Sequence, residues 1–348
     1  MDINLRELRK QGYNNSELAD SFIPNKQELI ILPTEKCNFR CSYCYEDFEI
    51  GSMPRWLIES IKTFIRKRMS KIDYLSLSWF GGEPLIAKTK CLEIIQHAHK
   101  ECKNTDTHLS GTFTTNGYLL TNELVEELAT YNHASFQITL DGYGENHNMT
   151  RKLANGKGSF DTVWKNITNL KNSSLDFHIK LRLHITANNY SSMKMMIIEI
   201  NKVIGKDPRF NVHFHNIANL GGPNKEKIIL LEREKYLDIL KEFSELLQIG
   251  SGSEVSLIEN KSICYAAKPN SLLIRADGRI GKCTVLLNDP SNNIGKFLPN
   301  GEIEINNEKL QPWMYGYDDY ESNILSCPAH GLKAYEEKYG NRLAVNVI

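Results

Sequence analysis

Short apolar runs alternate with amphipathic segments along residues 28–217. The short runs have the length of buried strands, whereas the longer segments space their apolar residues along one helical face. We predict strands at 28–32, 74–80, 108–114, 134–140, 177–186 and 211–217. We predict helices between them at 56–69, 86–102, 122–131, 159–170 and 191–203. This alternation favours a parallel sheet with crossover helices.

Distinctive polar and glycine residues stand where the first four strands end. They are Cys37, Gly81-Gly82-Glu83, Asn116 and Asp141. In barrel-like βα folds, the loops at the carboxyl ends of the strands carry the chemistry. Because these residues are spread over successive strands rather than gathered at one switch point, we predict an α/β fold with a partial (βα)6 TIM-like barrel. An open doubly wound sheet is the less favoured alternative.

The alternation stops after residue 222. Residues 229–248 predict a long amphipathic helix, and a Gly-Ser-Gly-Ser run at 250–253 predicts a linker. Residues 271–274 and 279–285 predict a hairpin turned by Asp277-Gly278. We therefore predict a small α+β domain with a C-terminal helix. The expected division is an extension at 1–27, the barrel at 28–222, a bridging helix and linker at 223–253, and the small domain at 254–348.

Charge and hydropathy narrow the class of protein. The chain has 42 Lys and Arg residues against 42 Asp and Glu residues, which gives no support for a broad nucleic-acid or membrane surface. No apolar run approaches the roughly 18 residues of a membrane span. The first residues lack the apolar core of a signal peptide. We therefore expect a cytoplasmic protein whose cysteines are reduced and whose clustered cysteines bind metal.

Cys37, Cys41 and Cys44 form a CxxxCxxC run that holds three of the eight cysteines. A buried structural cysteine has no need of two others at fixed offsets, so the run predicts a metal centre. Thiolates suit zinc and iron–sulfur clusters. A structural zinc needs four ligands, and no fourth cysteine or histidine lies nearby in the sequence. A 4Fe–4S cluster on three cysteines leaves one iron open to a ligand, and a zinc or structural thiol cluster is the alternative.

This run and three later motifs resemble the radical S-adenosylmethionine (SAM) superfamily. The CxxxCxxC run follows the first predicted strand, with Tyr43 before its last cysteine. Gly81-Gly82-Glu83-Pro84 resembles the family's GGEP motif, and Thr115-Asn116-Gly117 resembles its TNG turn. Residues 137–142 and 147–151 resemble the SLDG…HNxxR segment of the branch that modifies peptides and proteins.

The resemblance implies a role for each motif. In that family the open iron binds the amino and carboxylate groups of SAM, and SAM cleavage releases a 5′-deoxyadenosyl radical that abstracts hydrogen from the substrate. Cys37, Cys41 and Cys44 would be the catalytic cluster ligands. The glycines would let the backbone approach SAM, Glu83 would meet its amino group, and Arg151 would suit its carboxylate. The implied SAM-binding residues are Tyr43 (near the adenine), Gly81, Gly82, Glu83, Asn116, Thr139, Asp141 and Arg151.

Three further cysteines lie in the predicted small domain. Cys264 and Cys283 bracket Gly278 in a C-x13-G-x4-C pattern that resembles the opening of a SPASM or twitch domain. The resemblance implies one auxiliary iron–sulfur cluster, expected to be 4Fe–4S, on these two cysteines and Cys327. His330 would be its fourth ligand, since histidine can replace cysteine on iron. The alternatives are a surface histidine beside an iron open to solvent or substrate, or an accidental cysteine trio.

Two other pairs of residues leave their alternatives open. His213 and His215 share one face of the sixth predicted strand, where they would face the barrel mouth or be satisfied structural residues. Cys91 and Cys102 share one face of a predicted helix and are expected to be core thiols.

The resemblance implies a radical SAM oxidoreductase that matures a ribosomally synthesised precursor peptide. The leading prediction is an oxidative crosslink within the peptide, either a C–C cyclophane or a thioether. The alternatives are peptide epimerisation, sulfatase-maturase-like protein oxidation and a small-molecule radical dehydrogenase. Sulfatase maturation is disfavoured because Glu46 and Thr284 stand where that subfamily has tyrosine and aspartate. A non-enzymatic iron–sulfur protein would not need the SAM-binding set.

The implied partners are the precursor peptide and a flavodoxin or ferredoxin-type electron donor, with no nucleic acid and no membrane. About 27 residues precede the first predicted strand. That is too short for the winged-helix recognition domain of many peptide maturases. We therefore expect the leader peptide to dock on the barrel, on the small domain or on a separate protein.

Overall fold

Ten strands form one mixed sheet in the computed structural model, which describes Ser21 and residues 25–249, 263–317 and 322–339. The strands are β1 Lys26–Ile31, β2 Tyr74–Trp79, β3 His108–Thr115, β4 Ser135–Leu140, β5 His178–Ile185, β6 Phe210–Asn216, β7 Ser271–Ile274, β8 Arg279–Gly281, β9 Gly295–Phe297 and β10 Ile303–Ile305. Their order is β10-β9-β8-β7-β1-β2-β3-β4-β5-β6. Strands β1 to β6 are parallel. The sheet does not close, so the prediction of a partial barrel is confirmed.

Helices connect the parallel strands, as predicted. Between β1 and β6 the described helices are Arg55–Arg68, Lys88–Thr105, Asn122–Ala129, Glu145–Thr150, Phe160–Lys171 and Tyr190–Val203. The short helix Glu145–Thr150 lies where the sequence pattern predicts neither a strand nor a helix. Later helices are Arg233–Leu246, Asn307–Met314, Ser322–Ser326 and Gly331–Tyr339. No helix of the described residues is long and apolar enough to cross a membrane.

The main core lies between the strands and these helices. Leu75, Leu77 and Trp79 on β2 and Ile94 and Ile95 on helix Lys88–Thr105 belong to one buried apolar cluster. Cys91 and Cys102 are buried in the same cluster, which confirms that they are core thiols. Successive residues of a strand point to opposite faces of the sheet, so every second side chain points to the inner face.

The inner face of β4 to β6 is polar. Strand register aligns Thr139 on β4 with Arg182 on β5, and Arg182 with His213 on β6. Two residues further towards the carboxyl ends of these strands, His184 on β5 aligns with His215 on β6. Polar side chains at the carboxyl ends of parallel strands provide the usual setting of an active site in such folds.

The hairpin predicted after the barrel continues the same sheet. Strand β7 pairs in parallel with β1, and β8, β9 and β10 follow in antiparallel order. Strand β8 ends at Gly281 rather than at residue 285, because Asn292 Oδ1 accepts hydrogen bonds from the backbone N–H groups of Lys282 and Cys283. The division into a barrel at 28–222 and a small domain at 254–348 stays a prediction. The predicted linker at 250–253 and most of the N-terminal extension lie outside the described residues.

Candidate active site

A cavity of about 260 Å³ lies where the loops after the parallel strands meet. Its wall combines the cysteine loop after β1, the glycine turn after β2, the turn after β3, and inner-face side chains of β4, β5 and β6. Nine of the predicted site residues line it: Cys37, Cys41, Tyr43, Cys44, Gly81, Gly82, Asn116, Thr139 and Arg151. Motifs that are far apart in the sequence therefore come together in one place.

The cysteine loop holds three thiols in a partly desolvated setting. Burial raises the pKa of Cys37 to about 12, and the charges of Glu83, Cys41 and Cys44 add to this effect. Burial also raises the pKa of Cys44 to about 12, with the charge of Cys41 adding to it. The metal-free thiols are therefore protonated near neutral pH. A metal centre that displaces these protons would bind them as thiolates.

Gly81 and Gly82 pack against the backbone of the segment that leads into the cysteine loop. A Cβ atom at Gly81 would lie 2.4 Å from the carbonyl oxygen of Thr34, and one at Gly82 would lie 2.5 Å from that of Lys36. The backbone φ of Gly81 is +106°, which also favours glycine. These glycines therefore hold the two loops together, in addition to lining the cavity.

Glu83 is fully buried and does not line the cavity. Its carboxylate accepts hydrogen bonds from Leu85 N at 3.0 Å, Thr115 Oγ1 at 2.7 Å and Asn116 N at 2.7 Å. These hydrogen bonds fix the turn after β3, which places Asn116 on the cavity wall. A contact between Glu83 and the amino group of SAM stays a prediction.

Asp141 is also buried behind the wall rather than on it. Tyr43 Oη donates to its Oδ2 at 2.8 Å, and Thr150 Oγ1 donates to the same oxygen at 2.6 Å. Burial opposes ionisation, but a hydrogen bond from His184 and the charge of Arg151 hold the pKa of Asp141 well below its usual range. Asp141 anchors residues that face the cavity, and its assignment as a SAM-binding residue stays a prediction.

Arg151 lies at the centre of this network. Its Nη1 donates to Tyr43 Oη at 2.7 Å, and its charge lowers the pKa of Cys41 against the dominant effect of burial, which raises it. Arg151 and Thr139 both line the cavity, and their contact with SAM stays a prediction. A guanidinium at this position offers donors to a carboxylate within reach of the cysteine loop.

The three cysteines of the C-terminal part also come together. Burial raises the pKa of Cys264 to about 11, and the charges of Cys283 and Cys327 add to it. Cys264 N donates to Leu325 O at 2.9 Å, which ties the first cysteine to the segment that carries the last. These thiols do not line the cavity, but Thr284, directly after Cys283, does. Cys283 is therefore the member of this trio that adjoins a cavity-lining residue in the sequence.

His330 lies on a short 3-10 turn, Pro328–His330, and is exposed. Its backbone N–H donates to Cys327 O at 3.0 Å. None of the thiol interactions described above involves its ring. The structure thus favours the surface-histidine alternative, and ligation of a cluster by His330 stays a prediction.

The cavity residues that were not selected as site residues from the sequence include Tyr45, Arg182 and His184. A signal for the last two was present, because Lys180, Arg182 and His184 alternate with apolar residues along β5. Such alternation predicts one polar face of a strand. His215 lines the cavity as well, which answers the question the sequence left open for that residue.

The donors present suit an iron–sulfur cluster on the cysteine loop. Three thiols face one cavity, and cationic Arg151 and Arg182 lie on the same wall, where they would offset the negative charge of a thiolate-bound cluster. Within the described ranges, no three His, Cys, Asp or Glu side chains are grouped so that they could hold a single metal ion.

Residues 31–189 match the family model of the Radical SAM superfamily. The chain contains a radical SAM domain. The match runs from the last residue of β1 to the residue before helix Tyr190–Val203, and therefore includes the cysteine loop, the GGEP turn and Arg151. The predicted family resemblance is confirmed.

Curated relatives of this chain are named for more than one reaction. A GTP 3′,8-cyclase from Campylobacter jejuni subsp. doylei is 25% identical over 84% of this chain and 91% of its own length. A cysteine-type anaerobic sulfatase-maturating enzyme from Clostridium perfringens is 23% identical over 43% of this chain and 42% of its own length.

Two solved structures share the fold at low identity. The structure described as native anSMEcpe with bound AdoMet has a TM-score of 0.64 and 17% identity, and the alignment covers 91% of this chain and 97% of that one. Streptococcus suis SuiB has a TM-score of 0.54 and 17% identity, covering 91% of this chain and 74% of that one. At these identities the likeness establishes the architecture and not the reaction.

Proposed function

We propose that the protein is a radical SAM enzyme that modifies a ribosomally synthesised peptide by an oxidative crosslink within it. The observation that carries the proposal is the shared cavity: Cys37, Cys41 and Cys44 face it together with Arg151 and Thr139. In this proposal the three thiols hold a 4Fe–4S cluster, which supplies the electron that cleaves SAM to a 5′-deoxyadenosyl radical. A flavodoxin or ferredoxin-type protein would be the electron donor.

The residues around the thiols have assigned tasks in this proposal. Arg151 binds the SAM carboxylate, and Tyr43, held by Asp141, fixes the position of the Arg151 guanidinium. Asn116 and Thr139 offer polar atoms to the rest of SAM. Glu83 acts as a positioning residue, because its carboxylate holds the backbone of Asn116.

A peptide substrate is supported by two observations. Related folds are known with peptides bound: SuiB with its precursor peptide SuiA, at a TM-score of 0.55, and anSMEcpe with the Cp18Cys peptide, at 0.61. In this chain, Thr284 and Val285 bring the segment of Cys283 to the cavity wall. An iron–sulfur cluster on Cys264, Cys283 and Cys327 would supply an electron acceptor beside the cavity, as an oxidative crosslink requires.

Radical cyclisation of a nucleotide is the second candidate. It is favoured by the GTP 3′,8-cyclase relative, whose similarity extends over 84% of this chain rather than over the barrel alone. The two candidates share SAM cleavage and differ in the substrate that enters the cavity.

Anaerobic reconstitution with iron and sulfide, followed by dithionite and SAM, tests the shared step. We expect 5′-deoxyadenosine from the wild type and none from Cys44→Ser. Cys102→Ser is the matched control, because Cys102 is buried in the core away from the cavity. A reconstituted wild type that forms no 5′-deoxyadenosine would reject the radical SAM function.

Co-expression with short peptides encoded next to the gene tests the substrate. A peptide that loses two hydrogen masses, with fragments missing between two residues, supports the crosslink. An unchanged mass with an inverted residue indicates epimerisation instead. Conversion of GTP by the reconstituted enzyme, with no change in any peptide, would establish the second candidate.

A further inference from the structure

Arg182 occupies the middle of the polar inner face of the barrel. It lies on β5 in register with Thr139 on β4, and both side chains line the cavity. His184, two residues further along β5, lines the same wall. Arg182 therefore faces the space that the substrate or SAM must enter, rather than the core or the outer surface.

The guanidinium of Arg182 has no protein partner within the part of the chain that the structure describes. No Asp or Glu oxygen there lies within 4.0 Å of it, and no hydrogen bond involves its side chain. Its Nε is buried and without a partner. By contrast, Arg275 pairs with Glu35 at 2.6 Å, and Arg209 pairs with Asp207 at 2.7 Å. Burial of a charged guanidinium is costly when no carboxylate pairs with it. The Arg182 guanidinium therefore favours an anionic ligand in the cavity.

One further polar atom near Arg182 lacks a protein partner among the described residues. It is the buried Nε2 of His184, whose ring lies 5.4 Å from that of His215. Both rings line the cavity. Burial, followed by the charge of Arg182, keeps the pKa of His215 well below its usual value, so its imidazole is neutral and can still donate one N–H. This part of the wall offers the charge of Arg182 and additional hydrogen-bonding atoms.

Arg151 and Arg182 differ in their protein partners. Arg151 Nη1 donates to Tyr43 Oη at 2.7 Å, which fixes that guanidinium beside the cysteine loop. Arg182 makes no side-chain hydrogen bond to the residues that the structure describes. Arg182 lies on β5 in register with His213 on β6, whereas Arg151 directly follows helix Glu145–Thr150. The two guanidiniums therefore come from different elements of the cavity wall, and the donors of Arg182 are available to a ligand.

We propose that Arg182 binds an anionic oxygen group of the substrate, while Arg151 serves SAM. This assignment rests on the proposed function, under which the group is a carboxylate of the peptide, from an acidic side chain or the C-terminus. A planar guanidinium presents paired N–H donors that match the two oxygens of a carboxylate. The same donors would accept a phosphate, which is the anion that a nucleotide substrate would bring.

Equilibrium binding to the reconstituted, unreduced enzyme in the presence of SAM tests the proposal. Two probe pairs are compared: a capped Gly-Glu-Gly tripeptide against its Gly-Gln-Gly counterpart, and GTP against guanosine. We expect the wild type to bind one charged probe about tenfold more tightly than its neutral counterpart. Arg182→Gln should abolish this preference, Arg182→Lys should retain part of it, and SAM affinity should stay within about twofold.

Arg233→Gln is the matched control, because it removes an exposed guanidinium from the start of helix Arg233–Leu246, outside the cavity. It should leave both preferences unchanged. A wild type that shows no preference for either charged probe would overturn the proposal, and so would a preference that survives Arg182→Gln. A variant that loses SAM affinity instead would make Arg182 a SAM ligand and would overturn it as well.

The two probe pairs separate this inference from the proposed function. Preference for the glutamate peptide supports both. Preference for GTP alone supports the anion site and contradicts the peptide substrate. The binding assay contains no reductant, so its result does not depend on SAM cleavage. A failure to form 5′-deoxyadenosine in the separate activity assay would therefore reject the proposed function and leave the binding result unchanged. If Arg182→Gln does not fold, Arg182→Lys decides, with a several-fold weaker preference expected from the loss of the paired donors.

Discussion

Glu35 and Arg275 form a buried ion pair that joins the entrance of the cysteine loop to the end of β7. The Nη2–Oε2 distance is 2.6 Å, and the two side chains are 3% and 4% exposed. The Nε of Arg275 donates to the other carboxylate oxygen of Glu35 at 3.0 Å, so the pair is bidentate. The residues lie 240 positions apart in the sequence. This pair therefore locks the C-terminal hairpin onto the first strand of the barrel.

Removal of one partner should destabilise the protein strongly. Arg275→Met leaves the Glu35 carboxylate buried without its cation, and we expect a loss of about 3–5 kcal/mol in the free energy of unfolding. Chemical denaturation measures it. Arg279→Met is the control, because its ion pair with Asp277 is exposed and should contribute only about 0–1 kcal/mol. Equal losses for the two variants would contradict a special role of the buried pair.

The pairing of β7 with β1 could not be predicted from the sequence. Residues 271–274 show an apolar run and a turn signal, which identify a hairpin but not the strand beside which it lies. The six parallel strands were predicted to within two residues because each alternates with an amphipathic helix. Such local periodicity is visible in a single sequence, whereas a long-range edge pairing depends on surfaces that form only after folding.

Most of the residues selected from the motifs line the cavity, but the directions in which their side chains point could not all be predicted. The motifs placed Cys37, Tyr43 and Arg151 together correctly. For Glu83 and Asp141, however, the sequence shows only that a carboxylate is present, and not which way it points. Both carboxylates turn into the protein because unpaired backbone N–H and hydroxyl groups nearby need acceptors. Roles of this kind are decided by neighbours that the motif does not contain.

Gly82→Ala should impair cluster assembly through a steric clash alone. The new Cβ would lie 2.5 Å from Lys36 O and 2.9 Å from Glu35 O, so the segment leading into the cysteine loop must shift. We expect the iron content after reconstitution to fall by half or more, together with a lower melting temperature. Gly51→Ala is the control, because no atom lies within 4 Å of its Cβ position. Full iron content in Gly82→Ala would show that the loop tolerates the shift.

His133 should make the metal-free protein less stable in mild acid. Its ring is fully buried against Gly111, and burial lowers its pKa to about 4. The unfolded chain, with a histidine pKa near 6.5, binds more protons between these values, so stability rises with pH from 4 to 6.5 and is lost as the pH falls through that window. This residue alone should cost about 2 kcal/mol at pH 5 relative to pH 7.

Urea denaturation of the metal-free protein at pH 5 and pH 7 measures this dependence. In His133→Gln the difference between the two pH values should shrink by about the same 2 kcal/mol, whatever the variant costs at pH 7. His108→Gln, at an exposed position on β3, should leave the difference unchanged. A pH dependence that is identical in wild type and His133→Gln would assign it to other groups.

Tyr43→Phe tests whether the network behind the cavity positions Arg151. The hydroxyl of Tyr43 donates to Asp141 Oδ2 at 2.8 Å and accepts from Arg151 Nη1 at 2.7 Å. Its removal therefore releases the Arg151 guanidinium and leaves the Asp141 carboxylate with one donor fewer. We expect the dissociation constant for SAM to rise about tenfold, in line with one charge-assisted hydrogen bond, while cluster iron is retained. Tyr143→Phe is the control, because Tyr143 lies outside the cavity and packs through its ring against Phe160. If SAM binds Tyr43→Phe as tightly as wild type, Arg151 is held in place without Tyr43, and the role assigned to the network is wrong.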